Sequence, residues 1–325
     1  MNFQPTEDHE ALLDAVRKMV ARELVRPSTP PTPLTPPARF AYADALQRQI
    51  AEAGFFDCLA IDELGPVAAV AMVMELCRLP LCLEMVASTF IAPLACPDLP
   101  GPFALVGERL DRPIRFAPIA RTLIRLRAGR VDVAALADGD VTAFDSVFAY
   151  PMGLLRDPAV LAWTAVAGAD AATLQRLWRL GTAAELVGCL SAGLDSVLDH
   201  VKDRRQFGRP LGAFQAVQHR LAACAASVES ARWLVYRAAS SGTEADAATA
   251  AGFAQDCATK VAYDLHQFMG AMGLTLEHPL HRWTYRSKLL RTEPDGAAAH
   301  FSQLADAAWP IHIEDTKHTE VELPQ

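Results

Sequence analysis

The chain has 325 residues, 51% of them hydrophobic and 7% aromatic, and a formal charge of −8. That length and apolar content can supply two or three buried cores. An acidic balance with no sustained basic block and no nucleic-acid motif excludes binding through a phosphate backbone.

Residues 7–25 carry an amphipathic stripe, Leu12, Leu13, Val16, Met19, Val20 and Leu24, which predicts a helix. Thr6 suits its N-cap, and Glu7, Asp8 and Glu10 suit its positive end. Residues 26–37 hold six prolines and read as an extended strap between helices, or less simply as a polyproline ligand. A second helix is expected over 38–53 with Gly54 as its cap, then a loop over 55–65. Residues 66–87 are apolar all round, which predicts a buried helical region interrupted at Pro80.

The texture changes after Pro100. Short β-branched runs at 113–117, 122–126, 130–136 and 140–147, with turns at Gly129 and Asp138-Gly139, predict a small antiparallel β-domain. The runs are too closely spaced for crossover helices, which disfavours a parallel Rossmann sheet. Helical periodicity then returns over 171–204, 214–240, 244–269 and 279–290, joined by short connections, and predicts a four-helix bundle. A last short helix is expected at 304–309 and a frayed polar tail beyond.

The bundle's first connection concentrates chemistry. Lys202, Arg204 and Arg205 end one helix, Gly208, Pro210 and Gly212 break the pattern, and Arg209 follows. Cations at a helix C-terminus are ordinary, because the macrodipole favours them. A Gly-rich turn flanked by guanidinia is also an anion seat, and Phe207 and Phe214 offer flat faces to a planar ring. A second turn, Gln267-Phe268-Met269-Gly270-Ala271-Met272-Gly273, ends another helix. It reads as a helix cap or as a row of backbone N–H groups presented to a ligand.

The order of residues from Arg204 to Gln215, Arg-x-Gln-Phe-Gly-x-Pro-Leu-x-x-Phe-Gln, resembles the signature of the acyl-CoA dehydrogenase family. Residues 267–279 resemble that family's Gln-x-x-Gly-Gly loop, with Ala271 in place of the second glycine and Leu274 in place of an aromatic. Helices, a small β-domain and a helical bundle also follow in the family's order. The resemblance implies a mostly α fold: an N-terminal helical domain (1–99), a truncated antiparallel β-domain (100–158), a C-terminal four-helix bundle (159–310) and a polar tail (311–325). It implies that Arg204, Gln206, Phe207, Phe214, Gln215, Gln267, Gly270 and Ala271 contact FAD, in a site shared with a neighbouring subunit. A guanidinium suits its pyrophosphate because planar donors bind two oxygens at once.

The chain departs from the family in three places. Its β-domain is about half the family's length and lacks the Thr-Glu-Pro-x-x-Gly-Ser-Asp type loop that cradles the flavin; Tyr150-Pro151-Met152-Gly153 is no substitute. The catalytic glutamate's position after the fourth bundle helix falls on Pro294, with Glu293 and Asp295 beside it. The alternative position in the first bundle helix falls on Trp178 or Arg179, and Glu185 is expected to be a buried or interface hydrogen-bonding residue. Dehydrogenation needs a carboxylate for the α-proton while hydride leaves for flavin.

Half a cofactor site without a base resembles the short, non-catalytic subunit of α2β2 enzymes acting on steroid side-chain CoA thioesters. The expected partners are a full-length acyl-CoA dehydrogenase subunit, an acyl-CoA substrate and an electron acceptor. The alternatives are a homo-oligomer using Glu293 as base and a cofactor-free scaffold. His266, His278 and His281 lack a third ligand type for a metal, and Ser191 and Ser196 lack a nucleophile elbow. Seven cysteines form no C-x-x-C pair, and no secretory signal or bilayer-length apolar run is read, so a cytoplasmic, reduced setting is expected.

Overall fold

A computed structural model describes residues 6–25 and 42–309. The proline-rich strap, the start of the expected second helix at 38–41 and the polar tail lie outside the described residues. The first helix, α1 (Glu7–Val25), has the expected bounds and buries Leu12, Val16 and Val20. Next come α2 (Asp44–Glu52), whose chain turns at Gly54 with φ 72°, and a 3-10 turn (Phe55–Ala60) where a loop was expected.

Helix α3 (Gly65–Leu76) is buried nearly throughout but stops short of Pro80. The reason lies far along the chain. Arg286 donates to the carbonyls of Leu79 and Leu81 at 2.8 and 2.9 Å, Arg282 to Pro80 at 2.9 Å, and the Trp283 indole to Arg78 at 2.9 Å. These donors satisfy non-helical carbonyls that would otherwise be buried unpaired. A π-helical turn (Ala87–Ile91) and α4 (Ala92–Ala95) complete the helical layer.

The β-region is two sheets. Its strands are β1 (Phe103–Val106), β2 (Ile114–Arg115), β3 (Thr122–Arg127), β4 (Arg130–Ala135), β5 (Val141–Phe144), β6 (Met152–Leu155) and β7 (Thr164–Ala165). One sheet has the order β1-β3-β4-β7 and the other β2-β6-β5. The expectation of an antiparallel domain needs one correction: β1 pairs parallel to β3, Phe103 opposite Thr122. The chain between them visits the second sheet through β2, and that long connection is what a parallel pair requires. β7 also carries the sheet past residue 158.

The bundle follows as α5 (Ala171–Asp203), α6 (Gln215–Ser241), α7 (Glu244–Met269) and α8 (Leu280–Leu290). Between α5 and α6 lie β8 (Arg205–Gln206) and β9 (Arg209–Pro210). Asp170 caps α5 by accepting from the Ala172 and Thr173 amides at 3.1 and 3.2 Å, and Thr243 caps α7 by accepting from Asp246 at 3.2 Å. The last helix, α9 (Ala297–Ala308), is longer than expected and begins directly after Gly296.

Helix α5 is the hub, packing on α3, α6, α7 and α8. Its approach to α3 depends on Gly188, where an added Cβ would lie 2.4 Å from the Met74 carbonyl oxygen and 2.9 Å from Cys77 Cβ. Backbone cannot rotate away, so Gly188→Ala should force the helices apart and cost about 1–3 kcal/mol by overpacking. A chemical-denaturation midpoint unchanged from the parent would contradict this close packing.

Candidate functional site

The turn singled out in the sequence is a two-residue β-hairpin. Gln206 pairs with Arg209 across β8 and β9, and the central residues Phe207 and Gly208 have φ of 52° and 81°. Two successive positive φ values are what a type I′ turn demands, and a bulky residue adopts one only under strain. Phe207 is 90% exposed, its ring edge-on to Phe214 at 6.2 Å. Phe214 is the N-cap residue of α6, and the Arg209 guanidinium lies 4.0 Å from its ring centroid.

Arg204, Arg205 and Arg209 are exposed, and among the described residues none has a carboxylate at ion-pair distance. Leu211 donates its amide to the Arg204 carbonyl at 2.8 Å, and Arg205 reaches the Gly208 carbonyl at 3.3 Å, so the hairpin is braced at its base. Guanidinia with no carboxylate partner among the described residues, beside the exposed Phe207 and the half-buried Phe214, form a donor set suited to a pyrophosphate bearing a planar ring.

The second motif caps α7. Gly270 has φ 65° and ψ −146°, backbone that favours glycine, and the chain then tightens into a 3-10 turn (Gly270–Leu274). Gln267, Gly270 and Ala271 are exposed, whereas Gly273 is buried against Met269 and Leu280. Helices α5 and α7 run in the same direction, so both motifs emerge at one end of the bundle. A 3.2 Å contact between Ser196 Oγ and His278 Nε2 ties that end together. This pair is not a nucleophile and base. His278 Nδ1 accepts from the Leu280 amide at 3.1 Å, so Nε2 carries the proton and donates.

Arg220 and Lys260 both bind Asp264, which is buried, and Arg220 also stacks on Phe268 at 4.7 Å. The start of α6 and the end of α7, which carry the two motifs, are thereby clamped together.

Glu293 lies elsewhere. It follows α8, which runs away from the motif end, and its carboxylate is 3.0 Å from Arg115 Nε. Arg115 also donates through Nη1 to Glu185 at 2.7 Å, and Glu185 accepts from the Tyr150 hydroxyl at 2.5 Å. Glu185 is thus a buried hydrogen-bonding residue, as expected of it. Arg115 lies 4.8 Å from the Tyr150 ring centroid and 5.2 Å from that of Phe116. Burial opposes the Arg115 charge, but Glu185 and Glu293 hold it firmly protonated. Burial pushes Glu293 up from the ordinary carboxylate range, with Arg115 opposing and Glu185 reinforcing. Burial also raises the Tyr150 hydroxyl, with Glu185 adding to it.

From Glu185 to Arg204 along α5 is about 28 Å at ~1.5 Å per residue. The carboxylate and the motif end are therefore far apart within one chain. Of the two positions where a base was sought in α5, Trp178 is buried and Arg179 is buried and ion-paired to Glu244. Arg115 and Tyr150 were not legible as a pair in the sequence: Arg115 stands alone in a short strand, and its partner Glu185 is 70 residues away. Thiol chemistry is not in evidence, since all seven cysteines are free and burial raises those such as Cys58, to about 12. Among the described residues no helix is long and apolar enough to cross a membrane.

Helical domain, two small sheets and a four-helix bundle with an exposed basic hairpin define the acyl-CoA dehydrogenase class of fold. Residues 168–298 match the family described as acyl-CoA dehydrogenase, C-terminal domain. Acyl-CoA dehydrogenase IpdE2 of Mycolicibacterium smegmatis is 32% identical over 161 residues, 48% of this chain and 52% of that protein. The chain spans about half the length, or less, of the curated relatives it matches. Two solved structures superpose along nearly its whole length. The ChsE4-ChsE5 complex from Mycobacterium tuberculosis has a TM-score of 0.71 at 23% identity, covering 96% of this chain and 100% of that one. The Tcur3481-Tcur3483 steroid ACAD has a TM-score of 0.73 at 21% identity, covering 93% and 98%. The chain has the acyl-CoA dehydrogenase fold, and its residues 168–298 are similar to that family's C-terminal domain.

Proposed function

We propose that this chain is the non-catalytic subunit of a heteromeric, FAD-dependent acyl-CoA dehydrogenase. The observation that carries this reading is a separation. An exposed, unpaired cation–aromatic platform stands at one end of the bundle, while the carboxylate nearest the expected base position is engaged by Arg115 at the other. Arg204 and the exposed hairpin amides would hold the cofactor's pyrophosphate, with Phe207 and Phe214 against its rings and Gln206, Gln215, Gln267, Gly270 and Ala271 completing the contacts. FAD, when bound, supplies the hydride acceptor for α,β-desaturation of an acyl-CoA thioester. A longer partner subunit provides the flavin-ring pocket and the catalytic glutamate, and a separate electron acceptor reoxidises the flavin. Two superposing structures are a two-protein complex and a steroid enzyme by name, which supports a heteromer acting on a bulky acyl group such as a steroid side-chain ester. The small β-region supports it too, since it leaves room for such a substrate.

The test is a visible spectrum and native mass of the chain purified alone and after co-expression with its partner dehydrogenase. The chain alone should be colourless, and the pair yellow with FAD stoichiometric to it. A partner that retains full FAD and activity by itself would overturn the reading. In the pair, Glu293→Gln should leave turnover unchanged, because its carboxylate serves Arg115. Lost turnover would return the base to this chain.

A further inference from the structure

The loop that leaves α7 rejoins the bundle at His278, and the imidazole there is bonded on both edges. Nε2 lies 3.2 Å from Ser196 Oγ on α5, and Nδ1 accepts the amide of Leu280, the first residue of α8, at 3.1 Å. One ring therefore joins the loop that begins with Gly270 and Ala271, the helix that leads into Arg204, and the start of α8. The elements meet closely because α5 carries Gly193 one turn before Ser196. An added Cβ there would lie 3.0 Å from Leu265 Cδ1 and 3.5 Å from Leu280 Cδ1. Both bonds need the neutral ring in one tautomer, with Nε2–H to give and a bare Nδ1 to receive. A second proton would set N–H against N–H at the Leu280 amide.

The surroundings favour that neutral form. Burial holds His278 below the ordinary histidine range, and His200 on α5 acts in the same direction. Asp195 and Asp199, on either side of Ser196 in the chain, pair with Arg78 at 2.8 Å and Lys202 at 3.1 Å. On α7, His266 is bonded to Thr284 at 2.8 Å; on α8, His281 Nδ1 lies 2.8 Å from the His278 carbonyl. Glu277, beside it in the loop, is exposed. Among the described residues no carboxylate stands at ion-pair distance from the imidazole.

We propose that His278 is a positioning residue for the cofactor end of the bundle: the neutral imidazole latches the loop over 267–279 to α5, in register with Arg204, and its protonation opens the latch. This rests on the assignment of Gln267, Gly270 and Ala271 to FAD. Because the folded state depresses the His278 pKa, the latch is complete above the ordinary histidine value of about 6.5 and weakens as pH falls through it. Simple electrostatics has the opposite sign. Protonating His200, which lies in the field of Arg204, would hold an anionic cofactor more tightly in acid.

Hydrogen exchange of the loop peptide, corrected for the intrinsic effect of pH, and FAD retention test this together in the assembled pair at about pH 7.5 and pH 5.5. Loop protection and FAD affinity should both fall about 3- to 10-fold in acid, the range set by one neutral hydrogen bond. His278→Asn should abolish the pH dependence of both, since an amide oxygen can accept the Leu280 N–H in the manner of an Asx turn and does not titrate. Ser196→Ala should lower loop protection at both pH values. Protection that ignores pH, or that responds equally in His278→Asn, overturns the latch and leaves the loop's contact with FAD standing. Protection that follows pH while FAD retention does not would overturn the positioning role, and the assignment of the loop to FAD with it.

Discussion

Arg115→Leu should lower the unfolding free energy by about 3–5 kcal/mol, the loss seen when one partner of a buried ion network is removed. Arg115 is buried and bonded to both Glu185 and Glu293, so the substitution leaves two carboxylates facing each other with Tyr150 alone for company. The sign of the pH response follows from Glu293. Its folded-state pKa is already raised, so the folded state favours the proton and stability is lost as pH rises through that pKa. Without Arg115 the rise is larger, and the variant's deficit should shrink as the solution is acidified. Combining Arg115→Leu with Glu185→Gln and Glu293→Gln should recover most of the loss, because no uncompensated charge remains. Urea midpoints across pH for the single and triple variants measure both effects. A single variant as stable as the parent would mean that the network contributes nothing.

Arg204→Ala should have the opposite profile, with a large effect on cofactor and almost none on folding. The side chain is exposed and has no carboxylate at ion-pair distance among the described residues, so its removal uncovers no buried group. If it carries one charge-assisted bond to pyrophosphate, worth about 1.5–3 kcal/mol, FAD affinity of the assembled pair should fall roughly 10- to 100-fold. Flavin absorbance after gel filtration reads the loss, and native mass shows whether the pair persists. Full FAD retention would remove Arg204 from the cofactor site. Loss of the pair itself would make the hairpin a docking element first.

The two motifs were readable because each is local. Arg204 to Gln215 lies within one helix–turn–helix connection, where glycine, proline and the end of a helical period determine backbone shape directly. The bundle helices were readable for the same reason: α7 begins and ends where Ser241-Gly242-Thr243 and Gly270 interrupt the period. The stop of α3 at Leu76 was not readable. Nothing in residues 77–81 marks a break before Pro80; their carbonyls are taken by Arg282, Trp283 and Arg286, some two hundred residues later. The parallel pairing of β1 with β3 escaped notice because short strands carry no sign of their partner's direction.

By itself the order of amino acids determined the helical bundle, the small β-region, the basic hairpin and the family resemblance, since periodicity, turn chemistry and motif spacing act over a few residues. Tertiary structure alone decided what Glu293 does. A carboxylate is a base or an ion-pair partner according to what stands 3 Å away, and here that neighbour is Arg115, brought from a different layer of the fold.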